Sequence, residues 1–235
     1  MNHKKIVKII TFLVVLYITV IFIIPRVIIF PYLWKMPKSE YPTLYLSPTE
    51  VALNQNKTLE YPVKEFKELK FIIPYKGNLS EKLSKEGISK TFNFDGSKKM
   101  VVLEGLNPIS SFYANGGYER LFFLTTQKID SNIALYRALA SARVDQINIF
   151  DNNKVLTTKF VNVTLKSTIF FGKDSKSLYH FITPNIEAFQ PEMISVKNIP
   201  VNVVDKKTDK DYLFLFSKNI SQKEINLVLS SVKSK

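Results

Sequence analysis

The first pattern along the chain is a run of uncharged, mostly apolar positions close to its start. The run extends from Ile9 to Ile24, and three lysines precede it (Lys4, Lys5 and Lys8). If Ile6 and Val7 are added before Lys8, the segment has about nineteen positions. As a helix with a rise of about 1.5 Å per residue, it would come close to spanning a hydrocarbon core about 30 Å thick. The pattern therefore predicts a transmembrane helix.

The flanking residues indicate that this helix is retained and how it is oriented. A cleaved signal peptide has a shorter apolar region and small residues at its cleavage site, whereas no Ala, Gly or Ser occurs between Met1 and Met36. Lysines before the span favour a cytoplasmic N-terminus, and Tyr32 and Trp34 suit the outer interface. We expect a single-pass protein of the cytoplasmic (inner) membrane with its C-terminal domain outside the cytoplasm.

Alternating apolar and polar positions after residue 65 predict strands. Residues 69–73 read as a strand that ends at Pro74, and residues 90–94 and 99–103 form a hairpin around Asp95-Gly96, a strong turn signal. Residues 155–171 and 179–182 also have β character. Residues 194–204 and 212–216 read as a second hairpin around a charged turn.

Other segments have the period of a helix. Residues 118–125 place apolar side chains on one face, and Asp130 or Ser131 can cap a following helix. Ser221-Gln222-Lys223-Glu224 is a capping-box sequence before an apolar stripe. A short helix is also predicted from Pro48 to Leu53. The resulting organisation is a cytoplasmic tail (1–8), a membrane anchor (9–30), a proline-containing tether (31–65) and one α+β domain (66–235).

This order of elements resembles the PsbP-like fold, an antiparallel sheet flanked by helices, and small bacterial membrane-anchored domains of that kind. The resemblance implies an α+β sandwich whose members mostly assist or dock onto other proteins, and it brings no catalytic residues. It rests on short segments, which are Leu69-Lys70-Phe71-Ile72-Ile73-Pro74, Tyr118-Glu119-Arg120-Leu121, Leu135-Tyr136-Arg137-Ala138-Leu139, Tyr179-His180-Phe181-Ile182 with Phe189-Gln190, and residues 221–233.

Composition narrows the classes of function. The chain has 33 Lys and Arg against 20 Asp and Glu, a net charge of +13, but the cations are mostly scattered lysines interleaved with acids. Readers of nucleic acid use clustered cations and depend on arginine, so we expect no nucleic-acid partner. The absence of cysteine excludes disulfides, thiolate metal sites and cysteine nucleophiles.

The sequence carries no cofactor or metal signature, and we expect neither. His180 is the one histidine of the predicted domain, and no Gly-x-Ser-x-Gly motif accompanies it to present a serine nucleophile. Asp205, Asp209 and Asp211 lie close together but among lysines and without the spacing of a calcium loop. A carboxylate pair assembled by the fold stays open.

Scarce arginines and an aromatic loop are the candidate contact residues. Arg120, Arg137 and Arg143 lie on the two predicted helices, where they either pair with acids or form a docking patch for an envelope protein partner. Tyr113 and Tyr118 flank Asn115-Gly116-Gly117, either a helix-entry turn or a ligand-gating loop. We expect a non-enzymatic docking or assembly protein of the bacterial cell envelope. The alternative is an envelope hydrolase with a site assembled across the fold around His180.

Overall fold

An eight-stranded mixed sheet and a three-stranded sheet organise the chain in the computed structural model, which describes residues 12–17, 19, 23–53, 61–105, 131–194 and 197–235. The strands are β1 (Thr49–Ala52), β2 (Val63–Phe66), β3 (Leu69–Ile72), β4 (Ser80–Leu83), β5 (Ser89–Phe94), β6 (Lys98–Glu104), β7 (Ser175–Ile182), β8 (Ile186–Met193), β9 (Asn198–Asp205), β10 (Asp211–Ser217) and β11 (Lys233–Ser234). The helices used below are α1 (Ile24–Trp34), α2 (Asn132–Ser141), α3 (Asn153–Ile169) and α4 (Gln222–Ser231).

The large sheet has the order β1-β7-β8-β9-β10-β6-β5-β4, and the small sheet has the order β11-β3-β2. Every pairing is antiparallel except that of β1, which runs parallel to β7 with Glu50 opposite His180. The prediction of an antiparallel sheet is therefore wrong at this edge. The reason is that β1 comes from the segment before the predicted domain and reaches the sheet over a long connection, which leaves its direction unconstrained by any hairpin.

Local turn chemistry explains the hairpins. Asp95 and Gly96 both have positive φ angles, 52° and 64°, and with Ser97 they form the three-residue turn that joins the paired residues Phe94 and Lys98. The predicted strands at 69–73, 90–94 and 99–103 are confirmed as β3, β5 and β6, and the hairpin around residues 205–211 is confirmed as β9–β10. Strand β8 is an addition that the sequence patterns did not predict.

Each face of the large sheet is covered by its own hydrophobic layer, because successive side chains of a strand point to opposite faces. Ala188 of β8 lies in the larger cluster, together with Phe71 of the small sheet and Leu229 of α4. Phe189, the next residue, lies in the second cluster with Tyr136 of α2 and with Phe170. Helix α2 and the end of α3 thus cover one face, while α4 and the small sheet cover the other.

The predicted fold class needs a further correction, because it placed one transmembrane helix before the domain. Within the described residues, no helix is both long and apolar enough to cross a membrane. Helix α1 has 11 residues and packs on α3. Its Arg26 is 7% exposed and is hydrogen-bonded to the start of α3, so this helix belongs to the fold. Residues 1–11, 18 and 20–22 of the predicted tail and span lie outside the described residues.

The first part of the segment predicted as a tether is buried in the fold. Thr43 and Leu44, in a short 3-10 helix (Pro42–Tyr45), are fully buried. The Thr43 hydroxyl contacts the Ser175 hydroxyl at 3.1 Å. The helix predicted from Pro48 to Leu53 is wrong, because residues 49–52 form β1 and take their hydrogen bonds from β7.

Helix α3 corrects another prediction, since residues 155–171 were expected to be β. The Asn152 side chain caps the helix by accepting from the Val155 amide at 3.0 Å. Thr158 and Thr164 turn their hydroxyls back to carbonyls four residues earlier, so these β-formers fit a helix. Predicted helices at α2 and α4 are confirmed, with Ser131 as N-cap and a complete capping box at Ser221. The helix predicted at 118–125 lies outside the described residues.

Candidate functional site

A polar cleft lies between the C-terminal end of α2 and the middle of α3. Its volume is about 350 Å³, and it is open to solvent. The lining side chains are small or polar, with two cations among them, and they are Ala138, Ser141, Ala142, Arg143, Gln146, Thr158, Lys159 and Asn162. Two elements end at this place, α2 at Ser141 and a short 3-10 helix at Gln146, which leaves the cleft open.

The two lining cations are held by neighbouring carboxylates. The Arg143 guanidinium donates to both oxygens of Asp145, which raises the pKa of Arg143 and lowers that of Asp145. Lys159 donates to Asp151 at 2.8 Å and to the Gln146 carbonyl at 2.7 Å. The bond from Lys159 is the main reason that the pKa of Asp151 is lowered. These bonds orient the cations without removing them from solvent, since both side chains are about one-third exposed.

A buried lysine adjoins the cleft one helical turn beyond Asn162. The Lys166 side chain is fully buried, and its ammonium donates to the carbonyls of Leu46 at 2.9 Å and Ala142 at 2.8 Å. Burial, and then repulsion by Arg143, lower the pKa of Lys166 to about 7, while Asp145 acts in the opposite direction. Lys166 thus ties α3 to both the segment before β1 and the end of α2.

A second polar cluster is centred on Glu187 of β8, whose side chain is fully buried. Arg137 of α2 donates to both of its oxygens, with Nε 2.8 Å from Oε2. The Lys206 ammonium lies 3.6 Å from Oε1. Burial would raise the pKa of Glu187, but hydrogen bonds from Arg137 and His180 more than offset it, so that the pKa is lowered. The carboxylate is therefore ionised at neutral pH.

His180 belongs to this second cluster. Its Nε2 is 2.9 Å from Glu187 Oε2, and its ring stacks on Phe189 with centroids 4.5 Å apart. Because an ionised carboxylate only accepts hydrogen bonds, Nε2 carries the proton. The other nitrogen, Nδ1, is 3.9 Å from Glu50. In the part of the chain that the structure describes, no serine or threonine hydroxyl is bonded to His180, so the His–carboxylate pair there has no nucleophile beside it.

The structure separates the predicted contact residues. Arg137 lies in the middle of α2 and pairs with buried Glu187, whereas Arg143 follows that helix and lines the cleft beside Asp145. Pairing with acids, one of the two alternatives for the arginines, is therefore observed for both. Tyr113, Tyr118 and Arg120 lie outside the described residues.

Several residues of the site were not among the predicted ones. Lys159, Asn162 and Lys166 share a face of α3 because they are spaced three and four residues apart, a spacing hidden when the segment is interpreted as β. The Asn152 cap was the signal that could have revealed it. Glu187 offered no signal, because β8 was not predicted. Among the described residues, no group of three or more acidic or histidine side chains is arranged to hold a metal ion.

Comparison of the chain with protein-family models, with curated proteins and with solved structures gave no match. The resemblance to PsbP-like domains therefore stays a prediction from the sequence.

Proposed function

We propose that this chain is a non-enzymatic docking or assembly protein of the bacterial cell envelope, and that the cleft between α2 and α3 receives an acidic segment of a partner protein. The observation that carries the proposal is the cleft itself, an open polar cavity of about 350 Å³ bordered by Arg143 and Lys159. The envelope location rests on the apolar run and its flanking lysines in the sequence.

Charge around the cleft supports an acidic partner. Besides Arg143 and Lys159, Lys38 lies close enough to Asp145 to lower the pKa of that carboxyl, and Lys166 adds a partial charge behind the wall. Asp145 and Asp151 offset only part of this positive charge. A carboxylate entering the cleft can take hydrogen bonds from Arg143 in exchange for those of Asp145, and charge-assisted bonds of this kind are the stronger class.

The surroundings of His180 also support a non-enzymatic role. The ring is buried, stacked on Phe189 and bonded to Glu187, and the protonated Nε2 faces a carboxylate already bonded by Arg137. This arrangement resembles a packed structural histidine more than a general base, which needs a reacting proton within reach of its free nitrogen.

The test is site-specific photocrosslinking in cells. A photoreactive residue replaces Ser141, which is exposed at the rim of the cleft, and as a matched control it replaces Lys223, which is exposed on α4 at the other face of the sheet. We expect a discrete envelope protein to crosslink at position 141 only, through a peptide that contains Asp or Glu, and the adduct to be lost in Arg143→Gln/Lys159→Gln. Identical adducts at both positions, or an adduct unaffected by the double substitution, would contradict the proposal.

A further inference from the structure

Helix α1 is attached to the domain by one face. From Arg26, Nε donates to the Ile149 carbonyl at 2.7 Å, one terminal nitrogen to the Asp151 carbonyl at 2.6 Å, and the other to Asn153 at 2.9 Å. Further along, buried Ile29 and Leu33 pack in one cluster with Leu156 and Val163 of α3. The Tyr32 ring meets the Phe160 ring edge-on at 5.4 Å. The helix is therefore fixed along its length.

The opposite face of α1 is apolar as well, and it is exposed. Ile24, Val27 and Ile28 are 44%, 63% and 64% exposed, and Trp34 at the end of the helix is 79% exposed. Positions 24, 27 and 28 share one side of a helix. A helix that is hydrophobic on every side is normally covered on every side, so the outer face requires an apolar neighbour.

The surface before α1 identifies the kind of neighbour. Residues 12–17 are helical, and all of them are apolar or aromatic and exposed. Six consecutive helical positions cover the whole circumference of a helix. A protein partner seated on one side would leave the other sides in water, whereas a fluid lipid layer can cover several sides of a helix at once. Phe150, 84% exposed and next to the Ile149 carbonyl bonded by Arg26, extends this apolar surface onto the domain.

Charge and ring chemistry point to the same occupant. Trp34 is followed by the exposed lysines Lys35 and Lys38, and the chain carries a net charge of +13. Tryptophan and tyrosine favour the headgroup level of a bilayer, and nearby lysines are attracted to anionic lipids.

We propose that the outer face of α1, formed by Ile24, Val27, Ile28 and Trp34, lies in the boundary between headgroups and acyl chains of an anionic lipid membrane. Because its inner face is fixed on α3, this contact sets the orientation of the whole domain at the membrane surface. The contact requires no helix that crosses the membrane, and it does not depend on the proposed docking function.

Trp34 is the single tryptophan of the chain, so its fluorescence reports on this contact alone. The full chain is mixed with vesicles of phosphatidylcholine and phosphatidylglycerol in which the phosphatidylcholine carries bromine, a contact quencher, near the headgroup end of its acyl chains. We expect a blue-shifted Trp34 emission that brominated lipid quenches about two-fold, because interfacial helices bury their apolar face at roughly this depth.

The decisive variant is Val27→Asp/Ile28→Asp, which places charge in the lipid-facing surface. Leu83→Asp is the matched control, since Leu83 on β4 is exposed to a similar degree (57%) but lies far along the sheet order from β1. Quenching that is lost in the double variant and kept in Leu83→Asp supports the proposal. Unquenched wild-type emission overturns it, and so does equal quenching in the double variant. A blue shift that grows with protein concentration and is insensitive to brominated lipid identifies a second copy of the chain instead.

Discussion

Lys166 makes the stability of this protein depend on pH in a calculable way. The perturbation is Lys166→Met, which keeps the length of an unbranched side chain but removes the amine. In the native protein the amine is fully buried and bonded to the carbonyls of Leu46 and Ala142. A neutral amine has two N–H donors, so both bonds survive deprotonation. Because burial disfavours the charged form while the neutral amine keeps both bonds, folding favours loss of the proton.

The magnitude follows from the pKa of Lys166, which burial lowers from 10.5 to about 7. A difference of roughly 3.5 pK units at about 1.4 kcal/mol each corresponds to about 5 kcal/mol. Because the folded pKa lies below the unfolded one, the unfolded chain binds more protons between them, and stability rises with pH in that window. Between about pH 7 and about pH 9, linkage predicts a gain of about 2 kcal/mol in the free energy of unfolding from this group.

Urea unfolding at a series of pH values measures this gain. We expect the difference in free energy of unfolding between wild type and Lys166→Met to change by about 2 kcal/mol over this pH window. Its value at pH 7 does not matter for the test, although the variant also loses two hydrogen bonds worth about 1 kcal/mol each. Lys154→Met removes an exposed lysine of the same helix and controls for the loss of one positive charge. A difference between wild type and Lys166→Met that is constant over the window would refute the reasoning.

Further substitutions test other parts of the fold by urea unfolding. Arg137→Ala removes the partner of buried Glu187 and should lower the free energy of unfolding by about 2 kcal/mol. Because folding lowers the pKa of Glu187, this loss should become smaller as the pH falls through the pKa that Glu187 has in the folded protein. An unchanged urea midpoint near neutral pH would contradict the pairing. Ser221→Ala breaks the capping box of α4 and should reduce stability by about 1 kcal/mol, while an effect below a few tenths would show that the cap is unimportant. Leu229→Ala opens a cavity in the larger cluster and should destabilise by about 2–5 kcal/mol, against a clearly smaller loss for the less buried Leu227→Ala on the same helix.

Elements with a local chemical signal were predictable from the sequence. The Asp95-Gly96 turn and the Ser221 capping box each depend on residues within four positions of one another, and both are observed as expected. The turn demands positive φ angles and the cap demands a side-chain oxygen, so neither requires knowledge of the rest of the chain.

Helix α3 shows where this local reasoning fails. Its threonines and valines favour strands by intrinsic propensity, and the alternation at residues 161–165 matches a strand as well. Packing against α1, α2 and the sheet stabilises the helix instead, because Leu156, Val163 and Ile169 are all buried when the segment is helical. Strand β1 shows the same effect from the other side, since its residues carry little apolar pattern and are held by β7.

By itself, the sequence determined the α+β character, the hairpins β5–β6 and β9–β10 and the capped helices α2 and α4, because these depend on spacing and turn chemistry over a few residues. Only the tertiary structure decided which groups meet: Arg137 with Glu187 and His180, Arg143 and Lys159 across one cleft, Lys166 with two distant carbonyls, and Arg26 with the start of α3. Some of these partners are more than a hundred residues apart in the sequence. Their contacts depend on the order of the strands and on the direction of β1. No local sequence pattern encodes the strand order, because that order depends on which helices and strands cover each face of the large sheet.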